Sequence, residues 1–308
     1  MNRIYSLTSC MLMAPLSFVW ADQFQEGTIH SEYKQEDPNV LFIIVDDLRP
    51  ELGAYGEEHV YSPNIDHLAG QGIVFNHAYC QYPSCSPSRR SFLSGLRPET
   101  TGNLGIAKYD PHHVTLPDHF HNNGYFTASI GKVYHGKSED RDAWDYLWNG
   151  RWQGYGNHEN YKLPYKPVVE QENLPDSLYS SGKVTLETID QLQKQKDRNQ
   201  PFFIAAGFWK PHLPFAAPKK YWELYDRQGI PLTNHQKAPV GAPHIVHAWS
   251  ELAAYHPYTW MDTLVDYRNV QLREMQRRQL RHGYLACVSF IDAQVGMLLE
   301  ELEKQGLA

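Results

Sequence analysis

The residues of this sequence best suited to chemistry fall in four short clusters. Asp46 and Asp47 close one apolar run, and Cys85-Ser86-Pro87-Ser88-Arg89 follows a loop-like stretch. Lys132 and His135 follow a second apolar run, and Lys210 and His212 a third. Cys85 precedes turn-forming residues, two arginines and an apolar stretch that stops at Gly95, the pattern of a reactive group near a helix start. Helix N-termini offer free N–H groups and a partial positive charge, which suits a nucleophile that handles an anion. Two adjacent carboxylates repel one another and want a cation, and their oxygens suit a hard one such as Ca²⁺ or Mg²⁺. Singly, each cluster has an ordinary explanation as a cap or a solvated loop. Four at one sheet edge weigh more, because open α/β sheets place their sites past the carboxyl ends of their strands.

The elements that must position these clusters follow from the apolar patterning. The continuous β-branched run at 39–45 predicts a central parallel strand buried on both faces. Runs at 125–130 and 201–207 predict two more strands, and 73–75 a short one. Helices are expected at 62–72, from Ser88 to Gly95, and at 115–124. Val184, Leu186, Ile189 and Leu192 mark another at 177–196. Leu285, Val288, Ile291, Val295, Leu298 and Leu302 form the apolar face of a long helix at 271–304. Residues 79–87 read as a loop. Stretches 136–175 and 216–262 lack a period and are rich in aromatic, Pro or His residues, as long functional loops around a pocket are. Strands and helices alternate, so the fold class is α/β with a largely parallel sheet flanked by helices.

At 308 residues the chain can bury a large core. A net charge of −7 with 16 His argues against a phosphate-backbone binder, so no nucleic-acid partner is expected. Residues 1–21 read as a signal peptide, with Arg3 before an apolar stretch and a small-residue cleavage site at Ala21. Residues 22–38 read as a surface leader. Export implies a secreted or periplasmic protein, or a lysosomal one in a eukaryote. Beyond the signal only Cys80, Cys85 and Cys287 remain, an odd count that leaves a free thiol. Cys85 is the candidate, and Cys80 and Cys287 are expected to be small buried hydrophobes.

Cys85-Ser86-Pro87-Ser88-Arg89 with Leu93-Ser94-Gly95 resembles the signature of type I, formylglycine-dependent sulfatases of the alkaline phosphatase superfamily. Asp46 and Asp47 resemble that family's metal pair, Gly131-Lys132 its second signature, and Lys210-Pro211-His212 its later Lys-Pro-His element. The stretches around these motifs, with 284–296, are most similar to the iduronate-2-sulfatase subfamily. The resemblance implies an alkaline-phosphatase-like fold, with 39–308 as the N-terminal portion of a sulfatase catalytic domain that stops before the last sheet strands and C-terminal subdomain. It implies that a sulfatase-maturing (formylglycine-generating) enzyme oxidises Cys85 to formylglycine, whose hydrate attacks sulfur and later reverts to the aldehyde as sulfate leaves. It further implies Ca²⁺, with Mg²⁺ as the alternative, at Asp46, Asp47 and residue 85.

By the same resemblance Arg89 offsets charge, Lys132 and Lys210 bind sulfate, His135 takes a proton from residue 85, and His212 serves the leaving oxygen. The substrate class implied is a sulfated glycan, in keeping with glycosaminoglycan degradation. The family completes its metal site with an Asp-His or Asp-Asn pair that does not occur after residue 212. Weak or no activity is therefore expected of these 308 residues alone, and a separate C-terminal fragment would be a partner. Two other readings stand beside this one: a phosphodiesterase or phosphonate hydrolase of the same superfamily, and a non-catalytic glycan- or sulfate-binding remnant.

Overall fold

The structure is a computed structural model that describes residues 37–102, 113–136, 140–150, 153–233, 240–241, 251–259 and 272–307. The expected signal peptide and nearly all of the leader lie outside the described residues. The elements in order are β1 (Val40–Val45), α1 (Pro63–Gln71), α2 (Cys85–Ser94), α3 (Pro98–Thr101), α4 (Leu116–Asn122), β2 (Phe126–Gly131), β3 (Tyr146–Trp148) and β4 (Val169–Glu170). There follow α5 (Ser180–Gln195), β5 (Phe202–Phe208), β6 (Phe215–Ala216), α6 (Lys219–Trp222) and α7 (Glu274–Gln305). Four strands form one parallel sheet in the order β1-β5-β2-β3, and β4 pairs with β6 beside it.

Alternation along β5 explains how the layers form. Phe202, Ile204, Ala206 and Phe208 turn to one face, where Val184 and Leu192 of α5 and Ile291, Val295 and Leu298 of α7 cover them. Phe203 and Ala205 turn to the other, against Leu93 of α2 and Leu116 and Phe120 of α4. A strand reading apolar at every position is the strand covered on both faces. Each fully buried large side chain here contributes about 1.5–3 kcal/mol through lost water contact. The expected α/β architecture with a parallel sheet flanked by helices is what forms, and among the described helices none is long and apolar enough to cross a membrane.

Several details depart from expectation. The central strand is β5, with every residue buried, whereas β1 lies at one end of the described sheet and is only half-buried apart from Ile44. The short strand expected at 73–75 does not form, and Ile73 and Phe75 are exposed. Cys80, in the same irregular stretch, is exposed rather than buried, while Cys287 on α7 is buried; among the described residues neither forms a disulfide. The aperiodic stretch 136–175 contains β3 and β4, and 216–262 contains α6, all too short to give a period.

Helix α2 begins at Cys85, three residues before the expected start. Ser84 is its extended N-cap residue, and Ser88 N closes the first turn on Ser84 O at 3.0 Å. Pro87 falls inside that first turn, where backbone N–H groups lack helical partners anyway, so its missing donor costs nothing. Gly95, with a φ of 68°, ends the helix in the left-handed conformation.

Candidate active site

The sheet register sets the site. Val45 of β1 pairs with Phe208 of β5, and Gly131 of β2 pairs with Gly207, so three strands release their chains at one edge. Asp46 N continues the ladder to Phe208 O at 3.1 Å, and Lys132 N to Gly207 O at 2.8 Å. Two interstrand steps, roughly 10 Å, thus separate the backbones of Asp46 and Lys132. A lysine spans that gap, and Lys132 Nζ donates to Asp46 Oδ2 across the end of β5. The crossing requires glycine underneath. Gly131 has a φ of 80°, and a Cβ on Gly207 would overlap the Lys132 carbonyl.

Arg89 projects from α2 into the same place and is 3% exposed. Its Nη2 donates to Asp46 Oδ1 at 2.8 Å, and its Nη1 donates to the carbonyls of Lys132 and, at 3.0 Å, Val133. Burial acts to raise the Asp46 pKa, but the Arg89 and Lys132 charges outweigh it and hold the carboxyl below its usual range. Asp47 is exposed and has a φ of 61°, uncommon for a residue with a side chain but tolerated by aspartate. Tyr284 of α7 clamps this turn, its hydroxyl donating to Asp47 O at 3.0 Å and accepting from Arg49 N at 2.8 Å.

Beside these charges lies a cavity of about 440 Å³ whose lining includes Lys132, His135, Asn149, Trp209, His212, Glu251 and Tyr255. Cys85, at the first position of α2, touches one of these lining residues, its Sγ lying 3.2 Å from His135 Nδ1. Burial pushes the Cys85 thiol up despite the nearby Lys132 charge. Burial first, and Lys132 second, push the His135 imidazole down. The pair is therefore neutral thiol and neutral imidazole, not the low-pKa thiolate of a cysteine nucleophile. His212 Nδ1 donates to Leu213 O at 2.7 Å, which leaves Nε2 toward Asp47 Oδ2 at 3.9 Å and Glu251 Oε2 at 3.5 Å.

The structure thus brings Asp46, Asp47, Cys85, Arg89, Lys132, His135 and His212 to one sheet edge. Lys210 is placed differently. It is 3% exposed and does not line the cavity; its Nζ donates to His212 O at 3.1 Å and to Pro214 O, so it holds the segment carrying His212. Sequence reasoning missed Glu251, Asn149 and Tyr255, which lie in the aperiodic stretches and carry no motif. Tyr284 lay within a stretch noted for its resemblance, but nothing in the pattern gave it a role.

Burial pushes the Lys210 ammonium down to about 8 from an ordinary 10.5. Its folded pKa lies below the unfolded one, so the unfolded chain binds more protons between those values and stability rises with pH across that window. Lys210→Met is expected to flatten that rise relative to the wild type, measured by urea unfolding at about pH 7.5 and pH 10. An unchanged slope would show that Lys210 does not titrate there.

A divalent cation fits these residues incompletely. Asp46 and Asp47 supply hard oxygens, but Arg89 and Lys132 occupy both oxygens of Asp46. Among the described residues no group of three or more His, Cys, Asp or Glu side chains is placed to hold a metal ion. The repulsion that called for a cation is here relieved by two cationic side chains of the chain itself.

Comparison with known proteins matches residues 38–308 to the sulfatase family. Human iduronate 2-sulfatase is 36% identical over 289 residues, covering 88% of this chain and 52% of its own length. A sulfatase of Formosa agariphila is 29% identical, covering 89% of this chain and 57% of its own. The phosphonate monoester hydrolase of Agrobacterium radiobacter superposes with a TM-score of 0.64 at 18% identity, over 88% of this chain and 60% of that one, a likeness of fold. The chain spans about half the length of the curated relatives it matches. On the match of nearly its whole length from residue 38, the chain belongs to the sulfatase family.

Proposed function

We propose that this chain carries the nucleophile-bearing half of a sulfuric ester hydrolase acting on sulfated, uronate-containing glycans, with residue 85 converted to formylglycine. The observation that supports this most is the contact of Cys85 with His135, which lines one cavity together with Lys132, whose carbonyl accepts from Arg89. Position 85 suits the modification, since its side chain is half-buried at a helix start and within reach of a neutral imidazole. Formylglycine supplies an oxygen nucleophile and, by returning to the aldehyde, an exit for the bound sulfate.

The remaining work falls to side chains already in place. An ammonium has three donors. Lys132 uses one on Asp46 and lines the cavity, so the others can hold sulfate oxygens. His135 Nδ1 takes the proton from residue 85. His212, with Nδ1 fixed on a carbonyl, exchanges a proton with the leaving sugar oxygen at Nε2. Arg89 offsets the charge gathered at Asp46 and the substrate. The similarity to iduronate 2-sulfatase supports a uronate ring bearing the ester, and the signal-like residues 1–21 support an exported compartment. Turnover by this chain is expected to be slow, because its described residues do not complete a divalent-cation site.

The test offers an aryl sulfate and an aryl phosphate diester, with added Ca²⁺, to the chain co-produced with a sulfatase-maturing enzyme. Sulfate release exceeding phosphate-ester hydrolysis is the expected result. The reverse preference would replace this reading by a phosphodiesterase. An unmodified thiol and no turnover would leave a non-catalytic sulfate-binding protein.

A further inference from the structure

A second cavity, of about 360 Å³, adjoins the first. Consecutive residues divide between them: His212 lines one and Leu213 the other, and Glu251 and Leu252 split the same way. The new cavity is built largely from one face of α7, where Arg277, Leu280, Arg281 and Tyr284 recur at helical spacing. Arg49, from the turn after β1, adds a third guanidinium, and Leu213 and Phe215 supply an apolar wall.

Three arginines and one carboxylate, that of Glu51, line this cavity, so positive charge exceeds negative by two. Glu51 Oε1 takes both Arg49 Nη2, at 3.3 Å, and Arg281 Nη1, at 3.4 Å, long contacts at the edge of hydrogen bonding. Arg281 Nη2 meets His59 Nε2 at 2.9 Å. The Nε atoms of Arg277 and Arg281 are buried without a hydrogen-bond partner among the described residues, as is Glu51 Oε2, so unpaired donors outnumber the unpaired acceptor by two to one. A buried charged donor left unpaired is costly, and an anion's oxygens would relieve that cost. Guanidinium forks match sulfate and carboxylate groups in shape, while an apolar wall suits the C–H face of a sugar ring.

We infer that this cavity is a second anion subsite, seating an acidic group on the sugar next to the one whose sulfate ester lies at Lys132. The inference rests on the glycan reading above and deepens it: the preferred ligand is an oligosaccharide with acidic groups on successive units. Tyr284 ties the two sites together, since it lines this cavity while its hydroxyl holds the Asp47 turn of the other.

The test measures binding, by calorimetry on the full chain, of a sulfated, uronate-containing tetrasaccharide and of a 2-sulfated uronate monosaccharide. The wild type is expected to prefer the tetrasaccharide by about tenfold or more, the worth of one good charge-assisted contact. Arg277→Gln with Arg281→Gln should remove that preference, and Arg277→Gln alone should reduce it. Arg277 has no side-chain hydrogen bond to lose among the described residues, so the single variant guards against a folding defect in the double one. Lys194→Gln, on the exposed side of α5, should leave the preference intact. A double variant that keeps the preference, or a wild type that binds both sugars equally, overturns the subsite alone. Loss of the preference in Lys194→Gln reduces the effect to general charge and overturns it too. A wild type that binds neither sugar overturns the subsite together with the glycan reading.

Discussion

Replacing Arg89 by methionine is expected to lower the unfolding free energy by about 3–5 kcal/mol, the usual result of leaving one member of a buried ion pair without its partner. Methionine roughly keeps the length and apolar volume of the stem, so the loss falls on the guanidinium. That group joins α2 to the end of β1 through Asp46 and to the chain after β2 through two carbonyls. Urea midpoints measure the change, and Asp46→Asn closes a double-mutant cycle with it. If the two residues act as a pair, the double variant loses less than the sum of the singles. A change within about 0.5 kcal/mol, the range of an ordinary surface substitution, would refute the assignment.

The same contact has an acid signature. The folded pKa of Asp46 lies below its unfolded value, so its contribution is present above about pH 4 and fades as pH falls through the lower folded value. In Arg89→Met the folded value rises toward the unfolded one, and this acid-side loss should shrink.

Cys85→Ala is expected to abolish hydrazide labelling of the aldehyde and to reduce sulfate release by about 10⁴-fold or more, as removal of a nucleophile does elsewhere. The nearby packing should survive, because the side chain is half-buried and its described polar contact is the single one to His135. His135→Gln separates the chemistry from the modification: it should retain the aldehyde yet release sulfate about 10²–10⁴-fold more slowly, the range for a lost general base. Unchanged release from Cys85→Ala would remove residue 85 from the mechanism. Labelling that persists in it would show the aldehyde to lie elsewhere.

Residue types revealed the fold where patterns were long. The runs that became β2 and β5, and the six-residue stripe of α7, are continuous enough that no other element could absorb them. Lateral position was not legible: β1 is as apolar as a central strand, yet periodicity records faces and not neighbours, and it stands at the end of the described sheet. The start of α2 was misplaced because Pro87 was counted as loop, although a proline in a first turn removes no helical bond. The three apolar residues at 73–75 had no partner strand, and Ile73 and Phe75 stayed exposed.

Within the site, the motifs located the charged groups but not their partners. Asp46 and Asp47 suggested a cation without showing that Arg89 and Lys132 could fill that place. Lys210 shares the type and setting of Lys132 in the sequence, after a strand and near a histidine. Both are buried, and the partners of Nζ distinguish them: two backbone carbonyls for the one that holds a loop, Asp46 for the one that lines the cavity. Glu251 and Asn149 had no pattern to betray them.

The lysine bridge over β5 has a consequence for how such a site can change. Asp46 and Lys132 stand on either side of one strand, so the gauge of the proposed anion seat is set by strand width. A sheet alters such a span only in whole steps of about 4.8 Å, too coarse to retune the grip on a tetrahedral anion. The seat is in effect a fixed-gauge track. Adaptation to different ligands must then come from the stretches laid over it, those carrying Asn149, Glu251 and Tyr255, and from the arginine-bearing start of α7.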